Sequence, residues 1–95
     1  MAKIIIKCDP IPFQATKSLL KTFDTRLNDR FYQAGDEVEM KEFDRKTQEY
    51  SGERIGFTVG FVSTYMMPLN WVTFSILDVE FLPNETEPEP EDIPF

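Results

Sequence analysis

Apolar and polar positions alternate with a period of two along most of this chain, the pattern of strands that turn one face to a core. It opens at residues 3–8, where Ile4, Ile5 and Ile6 form a short β-branched run that reads as a buried strand. Asp9-Pro10 follows, a capping carboxylate before a proline at the first helical position, where the missing N–H costs nothing. A helix over residues 10–20 is expected, with Phe13, Thr16 or Lys17, and Leu20 along one side. Residues 21–30 read as a charged strand in which Lys21, Phe23, Thr25 and Leu27 point one way and Thr22, Asp24 and Arg26 the other. Residues 31–36 form a turn that Gly35 permits.

The second half is strand upon strand. Over residues 36–43, Val38 and Met40 alternate with Glu37, Glu39 and Lys41, predicting a half-buried strand with an acidic outer face. Residues 44–52 are a polar hairpin tip. Residues 53–65 sort by parity: Ile55, Phe57, Val59 and Phe61 on one face, and Gly56, Thr58 and Gly60 leaving the other nearly bare, where tight curvature is the plainer reason for glycine than a ligand needing room. After an apolar loop at 66–70 comes the last strand, 71–81. Its apolar phase switches from Val72, Phe74 and Ile76 to Leu77, Val79 and Phe81, which predicts a bulge or bend. From Pro83 the chain is acidic and proline-rich and unable to bury apolar surface. The expected organisation is one domain over residues 1–82 with a disordered tail over 83–95. Its class is α+β, a small open or closed β-barrel with one or two helices packed on it.

Charge changes the picture of partners. Ten cations against seventeen anions give a net −7, but residues 1–35 hold six cations against three anions. The chain as a whole is thus a poor non-specific binder of nucleic acid, and any such contact must be local to the first third. A lone cysteine and no histidine exclude an internal disulfide, leave too few ligands for zinc, and remove the usual acid-base residue near neutral pH. No metal and no cofactor are expected, and Cys8 reads as a small buried hydrophobe. No secretory leader is visible, and Pro68, Asn70 and interspersed Thr and Ser argue against a membrane span over 56–77. A cytoplasmic protein is expected.

Lys21, Phe23, Arg26, Asn28, Asp29, Arg30 and Gly35-Asp36 fall in step with the pattern of the ASCH superfamily of PUA-like domains, and the chain resembles most the small bacterial and phage subfamily that reads Gly-x-Lys-x-Phe-Glu-x-Arg-x-Asn-Asp-Arg. The resemblance covers about residues 3–80. Leu19 stands where the family has Gly, Asp24 where it has Glu, and Ile4 where the subfamily usually has His. The resemblance implies a PUA-like barrel with a cleft beside residues 21–30 that holds RNA or a nucleotide-like ligand. Candidate ligand residues are Lys21, Thr22, Asp24, Arg26, Asn28, Asp29 and Arg30, with Tyr65 or Trp71 to stack a base. Arg26 or Arg30 can fork onto a phosphate, Lys21 supplies a point charge, and Asp24 can accept from an amino or hydroxyl group. The plain alternative is that these charges pair with one another, for about 0–1 kcal/mol at a surface.

A sister ASCH branch comprises small amidohydrolases of acetylated cytidine, which look like Gly-x-Lys-Thr-x-Thr-x-Arg with the second threonine as nucleophile. Lys21, Thr22 and Arg26 match, but Asp24 occupies the nucleophile's position and Thr25 faces away from it. A carboxylate cannot replace a hydroxyl beside a base, so no catalytic residue is assigned and amidohydrolase activity is not expected. Two functions of different class follow: a non-catalytic module for RNA or a nucleotide-like molecule, or an acidic phage-type protein whose face over 36–44 and tail engage a basic protein partner or imitate nucleic acid.

Overall fold

The computed structural model describes residues 3–85. Five strands, β1 (Lys3–Cys8), β2 (Phe23–Leu27), β3 (Glu37–Asp44), β4 (Glu49–Ser63) and β5 (Trp71–Leu82), form one sheet in the order β1-β3-β4-β5-β2, with one helix, α1 (Pro10–Lys17). Only β1 and β3 are parallel; the other neighbours are antiparallel. The sheet curls into a half-barrel, an α+β small barrel-like fold. Its concave face carries the core: Ile4 and Ile6, Val38 and Met40, Ile55, Phe57 and Val59, and Val72, Phe74 and Ile76, closed by Phe13 of α1 and by Tyr32, whose ring lies 4.9 Å from that of Phe74. Full burial of each such aliphatic or Phe side chain is worth roughly 1.5–3 kcal/mol, and that term holds the curled sheet together. No helix among the described residues is long and apolar enough to cross a membrane.

Several elements differ from the expectation, each for a local reason. The helix stops at Lys17, not Leu20, because Leu19 takes a left-handed φ of 67° and the N–H groups of Leu19 and Leu20 donate to Thr16 O and Ala15 O, a Schellman ending. Leu20 therefore leaves the helix side it was placed on and is exposed. Asp9 sits at the N-cap but makes no side-chain cap bond, since its carboxylate goes to Arg45 instead. Residues 21–30 form only the five-residue strand Phe23–Leu27, whose inward Asp24 and Arg26 and outward Phe23, Thr25 and Leu27 follow the expected parity.

The long strands bend where the register slips. Gly56 pairs Glu80 but Thr58 pairs Leu77, leaving one extra residue on β5 beside Asp78 at φ 55°, the bulge that the phase switch predicts. A second slip, between Val59/Ile76 and Val62/Phe74, puts the extra residue on β4. Parity flips there: Val62 packs on the core, and Phe61, expected inside, is exposed.

The acidic outer face of β3 is solvated only at Glu37. Glu39 is buried, with Lys3, Arg54 and Lys41 at 3.4, 3.0 and 3.7 Å, and Lys41 reaches Glu85 at 2.7 Å. Glu42 lies buried on the other side, accepting from Gln14 Nε2 of the helix. The expected tail begins tied down: the Pro83 carbonyl accepts from Arg54 Nε, and the Glu85 N–H donates to Gly52 O. The remainder of the tail, 86–95, lies outside the described residues.

Candidate ligand-binding site

The two edge strands of the sheet meet a common hollow. The curl carries the end of β1 and the start of α1 opposite the free edge of β2, and a cleft of about 410 Å³ lies between them. Cys8, Asp9 and Pro12 line one wall; Lys21, Asp24 and Arg26 line the other, with Thr25 and Leu27. Trp71, paired with Leu27 across the β2–β5 ladder, and Arg45, from the β3–β4 turn, complete it.

Strand parity sends Asp24 and Arg26 to the same inward side, and there they bind each other: Arg26 Nε donates to Asp24 Oδ2 at 2.8 Å, with both side chains at least nine-tenths buried. Lys21 stands before the strand and folds back around its end, its ammonium donating to Asp24 Oδ1 at 3.2 Å and to the Phe23 carbonyl at 2.7 Å. Both carboxylate oxygens are therefore engaged by cations. Arg26 is not fully matched in return: its Nη1 is buried with no hydrogen-bond partner, as is the Tyr32 hydroxyl. A buried donor left in this way costs about 1–3 kcal/mol, and because Nη1 has no surface open to the cleft, that cost is carried inside the fold, where Arg26 acts on the Tyr32 phenol.

The electrostatics follow from this pair. Burial pushes the Cys8 thiol up to about 11, assisted by the negative charge of Asp24 and opposed by Arg26 and Lys21. At neutral pH Cys8 is a protonated, unreactive wall residue. Burial likewise raises the Tyr32 phenol, with Arg26 pulling the other way. At the rim, Asp9 takes both a backbone and a side-chain hydrogen bond from Arg45, at 3.1 and 2.8 Å.

Of the nine residues expected at a site, Lys21, Asp24, Arg26 and Trp71 line this cleft. The other five lie outside its lining. Thr22 is exposed, and its carbonyl accepts the Ile76 N–H. Asn28 is a loop brace, with Oδ1 accepting the Tyr32 N–H and its own N–H donating to Asn70 O at 2.7 Å. Asp29 is exposed, Arg30 Nη1 donates to the Ile5 carbonyl of β1, and Tyr65 is exposed at the tip of the 64–70 loop. The bare face of Gly56, Thr58 and Gly60 is the convex side of β4, behind the core-facing Ile55, Phe57 and Val59, and none of the three lines the cleft. Gly60 serves close packing, since a β-carbon there would collide with Ser75 Oγ, whereas one at Gly56 would meet only ordinary contacts with Glu80 and Leu82.

Sequence reasoning missed Asp9, Pro12 and Arg45 as cleft residues. Nothing local links Asp9 to Arg45, which lie 36 residues apart. They meet because parallel pairing sets Cys8 against Glu42, so both chains leave their strands side by side. Tyr32, within the expected turn, was likewise invisible as a core residue under Arg26.

A family model described as a domain of unknown function, DUF3850, matches residues 5–78, which include every residue that lines the cleft. No curated protein matches the chain.

Proposed function

Since the chain belongs to the DUF3850 family, and the matched stretch contains the entire cleft, we propose that it is a non-catalytic binding module of the ASCH, PUA-like type that takes RNA or a nucleotide-like ligand between β2 and the start of α1. The observation that carries this reading is the cleft wall itself, where the paired Arg26, Asp24 and Lys21 stand beside the chain's single tryptophan. An anionic group is drawn to the two cations, which Asp24 alone does not neutralise, and a base stacks on the tryptophan. Leu19 lends support from a different direction. It occupies the position where the resembled family has glycine, and its φ of 67° is the conformation that favours glycine.

Binding without catalysis suits the same geometry. The Lys21 ammonium is held by Asp24, and the Thr25 hydroxyl shares a 2.7 Å hydrogen bond with Thr73 Oγ1, so the Thr25 hydroxyl is not placed beside the lysine as a nucleophile would be. The buried, protonated Cys8 fits a reducing cytoplasm.

The test is titration of isotope-labelled protein with nucleotides and short RNA, followed by amide shifts. Residues 8–12, 21–27 and Trp71 should move together. Trp71→Ala, at a partly exposed position, should keep the fold and weaken binding about tenfold. Absence of any cleft response at millimolar nucleotide and short RNA would reject the reading.

A further inference from the structure

We propose that the convex face of β2 and of the β4–β5 hairpin pairs with the same face of a second copy of this chain, in a reversible two-fold dimer. Between Arg54 and Asp78 the chain has no charged residue, although its net charge is −7. The inward half of that stretch is core. Its outward half is left over: Phe61 is 75% and Leu77 48% exposed. Leu77 and Ser75 share the convex side with Gly60, whose β-carbon would meet both, and Phe23 of β2, 51% exposed, joins them because the ladder pairs it with Ser75. The register slip between core-facing Val59 and Val62 is what turns Phe61 outward beside Gly60.

The hydroxyls between these apolar side chains are already engaged. Thr25 and Thr73 share a hydrogen bond of 2.7 Å, Thr73 also donates to Met67 Sδ, and Ser75 Oγ accepts the Phe61 N–H at 2.8 Å. Polar atoms with partners inside the protein cost little to take out of water, so this face can be covered without leaving orphans.

Charge selects a second copy as the occupant and orients it. The face offers nothing to a charged partner, and a net −7 opposes an anionic membrane surface, so the surface that matches it in polarity is its own. Beyond Leu77 the convex side turns acidic, with exposed Asp78 and Glu80 beside Glu37, whereas residues 64–70 at the other end of the hairpin carry no charge. A two-fold axis in the plane of contact and across the strands sets each acidic end against the partner copy's uncharged loop; an axis along the strands would set Asp78 and Glu80 against themselves. Phe23, Phe61 and Leu77 present about 300–400 Å² of apolar surface, and with the residues between them each copy covers about 500–600 Å², near the lower limit of specific interfaces. Such a dimer dissociates on dilution. Asp24 and Arg26 point to the opposite side of β2, so pairing leaves the cleft of each copy open.

Sedimentation of the full chain from about 5 to 500 μM should show the mass rising from one chain to two. In isotope-labelled protein the amide signals of residues 23–25, 60–61 and 73–77 should shift with that rise, while those of 8–12 stay. Phe61→Glu and, separately, Phe23→Glu, both at exposed positions, should keep the Tm and weaken association at least about tenfold, and Phe61→Leu should retain it within about threefold. Glu80→Lys, facing an uncharged loop, should change it by less than about threefold. A chain that stays monomeric at the highest concentration, a dimer unaffected by both Glu variants, or dilution shifts confined to the cleft would overturn the proposal. So would a monomer that binds neutral phosphatidylcholine vesicles through Phe61, which would assign the face to a lipid surface. None of these outcomes bears on ligand binding in the cleft.

Discussion

The Asp24–Arg26 pair makes an asymmetric prediction that separates a buried ion pair from a simple surface contact. Arg26→Ala removes a charge-assisted hydrogen bond of 2.8 Å, worth about 1.5–3 kcal/mol, and leaves a cavity. It also removes the buried, unmatched Nη1, regaining part of about 1–3 kcal/mol, and leaves Asp24 still neutralised by Lys21 at 3.2 Å. The net loss should be about 2 kcal/mol, or roughly 8–16 °C in Tm for a domain of this size. Asp24→Ala is the worse change. It strips the acceptor from a nine-tenths buried guanidinium and from Lys21 together, and should cost about 3–5 kcal/mol, the range for an uncompensated buried charge. Replacing both, as Asp24→Leu with Arg26→Met, should cost less than Asp24→Ala alone, because two desolvated charges leave with no orphan behind. Urea unfolding followed by circular dichroism gives all three values in one cycle. If Asp24→Ala proved milder than Arg26→Ala, or the double variant lost the sum of the singles, the pair would not be coupled in the way the geometry requires.

Three other outcomes are expected. The folded-state Cys8 thiol at about 11, against an ordinary 9.0, contributes stability present in full below pH 9 and lost as pH rises towards 11, about 2–3 kcal/mol for two units; urea midpoints at pH 7.5 and 10.5 should converge in Cys8→Ala relative to the parent, and an unchanged alkaline slope would contradict this. Leu19→Gly should hold or raise stability by up to about 1 kcal/mol, since an exposed side chain is removed from φ 67°, whereas Leu19→Val should lose about 1–2 kcal/mol in the same unfolding assay. A chain ending at Leu82 should melt several degrees below one ending at Glu85, because it forfeits the bond to Gly52 O and a carboxylate 2.7 Å from buried Lys41; equal melting temperatures would show that residues 83–85 rest on the sheet without stabilising it.

Alternation along the chain determined which residues of each strand turn inward. Ile4 and Ile6, Val38 and Met40, Ile55, Phe57 and Val59 face the core because the pleat has a period of two and one face must leave water. The same rule put Asp24 and Arg26 on one side of β2, and the change of apolar phase after Ile76 marked the bulge beside Asp78. Parity also misled where the register slips. Phe61 is turned outward by an extra residue on β4 that no local pattern announces, because a bulge is set by pairing with a partner strand. Glu39 and Lys41 likewise read as a solvated face from their own strand, yet Lys3, Arg54 and Glu85 cover them from three other segments. The cleft lies furthest from what the sequence alone can determine. Its two walls come from opposite edges of the sheet and its rim from the 36-residue-separated pair Asp9–Arg45, so it exists only because apolar burial curls the sheet until β1 and β2 face each other.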